Sequence, residues 1–291
     1  MLENGDAIGI CAPSGSFDND KFEKGLKVIR DMGFEPIVPE EIYQTKRYLA
    51  GDDHLRADVI NRFFVDKNIK GIMCARGGFG AIRLLDFLDW EVIRNSSKFF
   101  IGFSDITALL TNFVKFPLIR AIHGPNITSL ADAEQKTLDS LYEFLITNTD
   151  EIYEWEMDVP IVISKGECIG TLVGGNLATL NHLVGTAYQP GFKNCILFIE
   201  DIGESPYKID RMLTQMKMAG CFKGIRGVVA GSFHDCGSIE MIHEIIQETF
   251  EEFKIPFLSG MDSGHGKINL SLPLGVKAAL SSEKPGLIWH V

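Results

Sequence analysis

Three side chains at separate points of the sequence could together carry nucleophilic catalysis: Ser104, Glu200 and His265. A serine hydroxyl attacks a carbonyl only when a base takes its proton, and a histidine base works best when a third group orients it. Ser104 stands where the apolar run KFFIGF gives way to the helical pattern DITALLTNF. This strand-to-helix turn is typical of a nucleophile elbow.

The alternative interpretation of Ser104 is a helix cap, in which its oxygen accepts a hydrogen bond from an N–H of the following helix. The second glycine of the pattern G-x-S-x-G is also missing, because Ile106 occupies that position. The local sequence alone favours the cap over the nucleophile.

His265 is the histidine best placed to act as a base, since it lies in a loop after a predicted strand and is flanked by Gly264 and Gly266. The alternative is a turn histidine that bonds to the backbone. The other histidines considered lie in helical patterns or at the terminus: His54, His182, His243 and His290.

Glu200 ends the apolar run CILFIE, which places a carboxylate at the carboxyl end of a predicted buried strand. Buried carboxylates need a partner, and an imidazole would provide one. Asp201 and Glu204 compete for this role, although capping of the next helix is the simpler interpretation of Glu204.

The negative charge on an attacked carbonyl oxygen needs N–H donors. Asp105 offers its backbone N–H at the start of a predicted helix, and Gly77 or Gly78, after the run KGIMCA, offers a second. A glycine pair that only permits tight packing is the alternative. Arg76 is a candidate for binding a substrate carboxylate or for bracing its loop, and His123 for lining or supporting the site.

Other kinds of site are disfavoured. The loop CAPSGS lacks the glycines and lysine of a phosphate-binding loop. His234, Asp235 and Cys236 are adjacent and have no spaced companion pair, so no metal site and no cofactor are predicted. The cysteines form no CxxC pair and are interpreted as buried thiols of a reducing compartment: Cys11, Cys74, Cys168, Cys195, Cys221 and Cys236.

The composition argues against two classes of binding partner, nucleic acids and membranes. A formal net charge of −11 argues against nucleic-acid binding. The amino-terminal residues lack the basic and apolar regions of a secretory signal, and no stretch reaches the roughly 20 apolar residues of a spanning helix. We therefore expect no membrane partner and a cytoplasmic location.

The first half of the chain alternates apolar runs with helical patterns, one of which is GFGAIRLLDFLDW. This predicts a doubly wound, mainly parallel α/β sheet with its functional loops at the carboxyl ends of the strands. A chain of 291 residues favours two domains. We predict an amino-terminal domain over 1–147, an acidic linker over 148–164 that contains Pro160, and a smaller α/β carboxy-terminal domain over 165–291.

Taken together, the segments of this sequence resemble the LD-carboxypeptidase family of serine peptidases over nearly the whole chain. The resemblance rests on motifs in a common order: GDAIGICAPSG, the long segment LAGDDHLRADVINRFFVDKNIKGIMCARGGFGAIRLLDFLD, GFSDITALL, HGP, GTLVGGNLATLNHLVGT, FIEDIGESPYKIDRML and GHGKINLSLPLG. One departure is Phe79, where the family commonly has tyrosine, so any polar contact of that hydroxyl is lost.

The resemblance implies that Ser104, in the amino-terminal domain, is the nucleophile, and that Glu200 and His265 complete a triad from the carboxy-terminal domain at an interdomain cleft. It also implies an oxyanion hole of backbone amides, mapped to Asp105 and to the Gly77–Gly78 pair, and a homodimer. The implied substrate is a small peptide.

The favoured activity is release of a terminal D-alanine from murein tetrapeptide in cell-wall recycling. The chain looks short between GTLVGGNL and GHGK for an immunity-type enzyme, which favours this branch. The alternatives are an immunity-type peptidase that cleaves aminoacyl-nucleotide amides of the microcin kind, and a non-catalytic protein that binds a small ligand.

Overall fold

The computed structural model describes residues 1–147, 152–156 and 161–290. The chain divides into two compact units. The first comprises Met1–Thr147 with Leu270–Pro273, and the second comprises Asn148–Asn269 with Leu274–Val291. The return of residues 270–273 to the first unit differs from the predicted assignment of the whole of 165–291 to one carboxy-terminal domain.

In chain order, the strands are β1 (Ala7–Cys11), β2 (Glu35–Ile37), β3 (Ile69–Cys74), β4 (Phe99–Gly102), β5 (Arg120–His123), β6 (Ile152–Glu156), β7 (Ile161–Ser164), β8 (Glu167–Asn176), β9 (Cys195–Ile202), β10 (Gly227–His234), β11 (Phe257–Ser259), β12 (Leu272–Leu274), β13 (Lys277–Ser281) and β14 (Gly286–His290). The α-helices are α1 (Asn19–Asp31), α2 (Asp53–Val65), α3 (Trp90–Arg94), α4 (Thr107–Phe113), α5 (Ile127–Leu130), α6 (Gln135–Ile146), α7 (Leu177–His182), α8 (Pro206–Met218) and α9 (Ile239–Phe250).

The sheet of the first unit has the strand order β12-β5-β4-β3-β1-β2, and β1 to β5 pair in parallel. Parallel neighbours need crossover connections, which the helices between the strands provide. Strand β4 is buried along its whole length, as expected for a sheet covered on both faces. The predicted doubly wound α/β fold is therefore confirmed, and the carboxyl ends of β1, β3 and β4 carry the loops that contain Ser14, Gly77 and Ser104.

Helix α1 shows how local sequence produces these elements. Asp18 caps it by accepting a hydrogen bond from the Lys21 N–H at 2.8 Å. Phe22, Leu26 and Ile29 recur at helical spacing and are buried. The amphipathic stripe thus holds the helix against the core by burial of apolar surface.

The sheet of the second unit has the order β6-β14-β13-β8-β9-β10-β11-β7. Its centre, β8 to β11, is parallel, and β7, β13 and β14 are antiparallel additions at the flanks. The carboxyl end of β9 carries Glu200, and the loop after β11 carries His265.

Two segments differ from the sequence prediction. The predicted linker over 148–164 contains β6 and β7, both paired within the second sheet, while residues 148–151 and 157–160 lie outside the described residues. The segment GFGAIRLLDFLDW, predicted to be helical, forms a 3-10 helix over Ala81–Phe87, before α3. Among the described residues, no helix is both long enough and apolar enough to span a membrane.

Candidate active site

Ser104 occupies a strained turn between β4 and α4. It begins a short 3-10 helix, Ser104–Ile106, and has a φ of 65°, a left-handed conformation that costs a residue other than glycine roughly 1–2 kcal/mol. The cap position before that helix is Phe103, and α4 starts only at Thr107. The helix-cap interpretation of Ser104 is therefore wrong, because its backbone does not have the extended conformation of a capping residue.

The loop after β3, residues 75–80 (the glycine loop), lies directly against the Ser104 side chain. A Cβ atom on Gly77 would lie 2.8 Å from the Ser104 Cβ and 3.0 Å from its Oγ, so this position has room only for glycine. Gly78 follows with a φ of 112°, which also suits glycine. The backbone of the glycine pair can therefore approach the serine hydroxyl as an oxyanion donor must.

Asp105 contributes more than its backbone N–H. Its side chain is buried, and its Oδ2 accepts hydrogen bonds from the Ser14 Oγ at 2.5 Å and from the Ala81 N–H at 2.8 Å. Ser14 lies in the loop after β1, and Ala81 lies just beyond the glycine loop. One carboxylate next to Ser104 therefore holds both neighbouring loops.

Arg56 holds the same two loops from the helix α2. Its buried guanidinium donates to the Pro13 carbonyl oxygen and, at 3.2 Å, to the Gly80 carbonyl oxygen. Asp53 neutralises its charge, with the Arg56 Nη2 2.5 Å from the Asp53 Oδ1, and also pairs with Arg83. Burial lowers the pKa of Arg56, and the hydrogen bond to Asp53 partly offsets this.

In the second unit, Glu200 and His265 form a hydrogen-bonded pair. The Glu200 side chain is fully buried, and its Oε2 accepts hydrogen bonds from the His265 Nδ1 at 2.7 Å and from the His265 backbone N–H at 3.0 Å. A buried carboxylate is costly unless it is paired, so these two bonds fix the imidazole as well as satisfying the acid.

The turn that carries His265 is shaped around this carboxylate. Gly264 has a φ of 107°, and a Cβ there would lie 2.5 Å from the Glu200 Oε2. The Gly264 N–H donates to the Asn269 Oδ1 at 2.9 Å, which closes the loop. Both the sterics and the backbone conformation thus require glycine before His265.

Burial and charge oppose each other at His265. Burial lowers the pKa of its imidazole, but the hydrogen bond to Glu200 and the charges of Glu200 and Asp201 outweigh burial and raise this pKa above its usual value of 6.5. Asp201 is also buried, and burial together with the charge of Glu200 raises its own pKa to about 6. It accepts hydrogen bonds from Asn176 Nδ2 and the Ala178 N–H, both at 2.9 Å, and so fixes the start of α7.

Comparisons with known proteins agree with this arrangement of elements. The sequence profile of the LD-carboxypeptidase N-terminal domain matches residues 8–124, and that of the LD-carboxypeptidase C-terminal domain matches residues 169–280. A probable murein peptide carboxypeptidase of Bacillus subtilis is 33% identical over 99% of this chain and 92% of that protein. The chain belongs to the LD-carboxypeptidase family.

Other proteins similar to this chain are named for microcin immunity. The microcin C7 self-immunity protein MccF of Escherichia coli is 29% identical over 98% of this chain and 93% of that protein. The crystal structure of an MccF-like protein from Bacillus anthracis str. Ames superposes with a TM-score of 0.90 and 28% identity, over 99% of this chain and 97% of that one.

The two remaining predicted site residues, Arg76 and His123, lie in the first unit. Arg76 is exposed, and its Nη1 donates to the Ser16 carbonyl oxygen at 2.5 Å, so it braces the loop after β1. His123 ends β5, is fully buried and contacts the Phe103 ring edge-on at 6.0 Å. Such burial suits a residue that supports the Ser104 turn from beneath.

His234, Asp235 and Cys236, considered above as metal ligands, lie at and just after the end of β10. Among the described residues, no group of three or more His, Cys, Asp or Glu side chains could hold a metal ion. His234 and Asp235 make only an exposed contact at 3.5 Å, and the Cys236 thiol donates to the His234 carbonyl oxygen. Glu204 pairs with Lys208 on α8 and does not compete with Glu200 for the imidazole.

Sequence reasoning missed the residues that hold the loops: Ser14, Arg56, Asn269 and the carboxylate of Asp105. One feature of the sequence could have indicated Arg56, because this residue lies among the buried apolar residues of α2, beside Ala57, Val59 and Ile60. A charged residue in such a position usually has a buried partner. Ser14 and Asp105 are 91 residues apart in sequence, and nothing local marks them as a pair.

Proposed function

We propose that this protein is a serine carboxypeptidase that hydrolyses an amide between an L-configured centre and a terminal D-amino acid, releasing D-alanine from murein tetrapeptide in cell-wall recycling. The observation that carries the proposal is the left-handed backbone of Ser104, with Gly77 packed against its hydroxyl. Strain of this kind persists where function requires it. The relationship to a probable murein peptide carboxypeptidase supports this choice of substrate.

In the proposed mechanism, Ser104, Glu200 and His265 act as one triad. The Nδ1–H of neutral His265 donates to Glu200, which leaves the Nε2 lone pair to take the proton of the Ser104 hydroxyl. The Ser104 oxygen bonds to the substrate carbonyl carbon, and the carbonyl electron pair moves to its oxygen. When that pair returns, the C–N bond breaks, and D-alanine leaves with the proton from the imidazolium.

Hydrolysis of the acyl-enzyme repeats these steps with water in place of the serine. His265 takes a proton from the water, the hydroxide oxygen attacks the acyl carbon, and Ser104 recovers its proton as it leaves. The oxyanion of both steps would accept hydrogen bonds from the backbone N–H of Asp105 and from that of Gly77 or Gly78. Arg76 carries an exposed positive charge near this loop and is proposed to attract the substrate carboxylate, while His123 supports the site.

The decisive test is Ser104→Ala, assayed by release of D-alanine from murein tetrapeptide. We expect turnover to fall by on the order of 10⁴-fold or more, with the melting temperature retained, because the nucleophile is lost and the core is not. Ser97→Ala, at an exposed position in the loop before β4, is the matched control and should keep wild-type turnover. Substantial hydrolysis by folded Ser104→Ala would refute the assignment.

A second candidate keeps the triad and changes the substrate to an aminoacyl-nucleotide amide of the microcin kind. It is supported by the relationship to the microcin C7 self-immunity protein. Parallel incubations with murein tetrapeptide and with such a conjugate would separate the two candidates by the ratio of their kcat/KM values.

A non-catalytic binding protein is the third candidate. It would bind peptide tightly and leave Ser104 inert towards a fluorophosphonate probe.

We also propose that the enzyme acts in the cytoplasm as a homodimer. Fractionation of cells of the source organism and light scattering of the purified chain test these two points independently of the activity. Exclusive recovery outside the cytoplasm, or a monomer at the assay concentration, would contradict them.

A further inference from the structure

We propose that the side-chain carboxylate of Asp105 is a positioning residue of the oxyanion hole, and that it acts through the Ser14 hydroxyl. The mechanism proposed above uses only the backbone N–H of Asp105. The side chain has a separate task, which is to fix the glycine loop at a set distance from Ser104. This inference rests on the proposed function of Ser104 as a nucleophile.

One oxygen of the Asp105 carboxylate accepts hydrogen bonds from two neighbouring loops. The Asp105 Oδ2 accepts from the Ser14 Oγ at 2.5 Å and from the Ala81 N–H at 2.8 Å. Asp105 and Ser14 are both buried. Hydrogen bonds to a buried carboxylate are among the stronger ones in proteins, so they can hold both loops in place.

The hydrogen bonds of the Asp105 carboxylate reach the glycine loop at two points. Ser14 precedes Gly15, whose N–H donates to the Gly77 carbonyl oxygen at 3.2 Å. Ala81 lies at the other end of the loop, four residues after Gly77. The carboxylate therefore fixes the loop at the glycine pair through Ser14 and Gly15, and after the pair through Ala81.

The Asp105 carboxylate is also part of the turn that carries the nucleophile. Asp105 is the residue next to Ser104, so its carboxylate joins the strained serine turn to both loops. Oxyanion donors are effective only when they are held at hydrogen-bonding distance before the charge develops, and a misplacement of about 1 Å can cost roughly 100-fold in rate.

The primary test is Ser14→Ala, which removes one bond and leaves Asp105 and every backbone N–H in place. We expect kcat to fall about 10- to 100-fold and KM to change less than about threefold. The melting temperature should fall by only roughly 3–10 °C, because the buried carboxylate loses one hydrogen bond and keeps the one from the Ala81 N–H. Ser16→Ala is the matched control on the same loop, since Ser16 bonds to Tyr48 and Arg76 through its backbone N–H and carbonyl oxygen.

A second set of variants distinguishes positioning from a merely structural role. Asp105→Ala should lose more activity than Ser14→Ala, and Asp105→Asn should recover part of it because its amide oxygen can still accept both bonds. In the double variant Ser14→Ala/Asp105→Ala, the loss should not exceed that of Asp105→Ala alone, because both changes break the same bond.

Reaction with a fluorophosphonate provides a readout that needs no murein substrate, because its phosphoryl oxygen also takes the oxyanion position. The labelling rate of Ser104 should fall in Ser14→Ala by the same factor as kcat. If wild type is labelled well but does not cleave murein tetrapeptide, the proposed substrate is wrong. The labelling rates of wild type and Ser14→Ala then still test the positioning role. Folded Ser14→Ala with wild-type kcat and labelling rate would overturn the inference.

Discussion

The two glycines on either side of His265 offer a sharp test of how the imidazole is held. Gly264 has a φ of 107°, and a Cβ there would lie 2.5 Å from the Glu200 Oε2, 2.7 Å from its Cγ and 2.8 Å from its Cβ. At Gly266 no positive φ is required, and the nearest atom to a new Cβ is the Ile268 carbonyl oxygen at 3.3 Å. The same substitution should therefore have very different effects at the two positions.

For Gly264→Ala, the backbone conformation alone costs about 1–2 kcal/mol. The new methyl group must also push Glu200 away from its two hydrogen bonds to His265, and each hydrogen bond to a charged group contributes about 1.5–3 kcal/mol. Allowing for partial relaxation, we expect a loss of about 3–5 kcal/mol and a fall in melting temperature on the order of 10 °C. Gly266→Ala should cost less than about 1 kcal/mol.

Activity should separate the two variants further. Displacement of Glu200 frees the imidazole to rotate and to change tautomer, so kcat of Gly264→Ala should fall about 100-fold or more. Calorimetry gives the stability of both variants, and D-alanine release below the melting temperature gives kcat. If Gly264→Ala matches Gly266→Ala in stability and turnover, the contact with Glu200 does not position His265, and the reasoning fails.

The remaining predictions concern titration. Glu200→Gln removes the Glu200 charge that raises the pKa of His265, while the smaller effect of Asp201 and the lowering effect of burial remain. The acid limb of kcat/KM should therefore move to lower pH while kcat falls. Glu204→Gln is the control and should leave the limb unchanged. An unmoved limb in Glu200→Gln would show that another group titrates. Lys98 donates to the Phe63 and Asp66 carbonyl oxygens at the end of α2, and burial lowers its pKa to about 8. The lysine of the unfolded chain titrates near 10.5, so between pH 8 and 10.5 the unfolded chain binds more protons than the folded one. The free energy of unfolding should therefore rise with pH over this range, by up to about 3 kcal/mol relative to Lys98→Met. The exposed Lys67→Met is the control for denaturant unfolding from pH 7.5 to 10.5, and an equal pH dependence in wild type and Lys98→Met would contradict this sign.

The parallel sheets could be predicted well because their strands are buried on both faces. Runs such as KFFIGF and CILFIED are apolar along their length, and the structure has β4 and β9 there. The helical prediction over GFGAIRLLDFLDW was less accurate. Gly80, with a φ of 134°, and the Asp105 carboxylate bound to the Ala81 N–H hold the chain in a tighter 3-10 path, and neither constraint is visible in the hydrophobic period.

Candidate catalytic residues could be selected because they follow strands, where open α/β sheets place their functional loops. The bonds that hold those loops could not be selected in this way. Arg56 reaches the Pro13 carbonyl 43 residues away, and Ser14 reaches Asp105 across 91 residues. Such pairs depend on the path of the folded chain, and a single sequence records only the residue types at either end.

The missing second glycine of the elbow has a physical explanation. Ile106 occupies that position, and a Cβ on Gly102 would lie 2.8 Å from the Ile106 Cγ2, so the isoleucine fills the space that Gly102 leaves open. The residues beside Ser104 are each held by a side chain, since the Phe103 N–H donates to the Asn126 Oδ1 at 3.4 Å and Asp105 bonds to Ser14. A strained serine between two fixed neighbours does not need a second glycine to hold its conformation. The bulky residue after the turn therefore stabilises the elbow, because its side chain packs on the one glycine that remains.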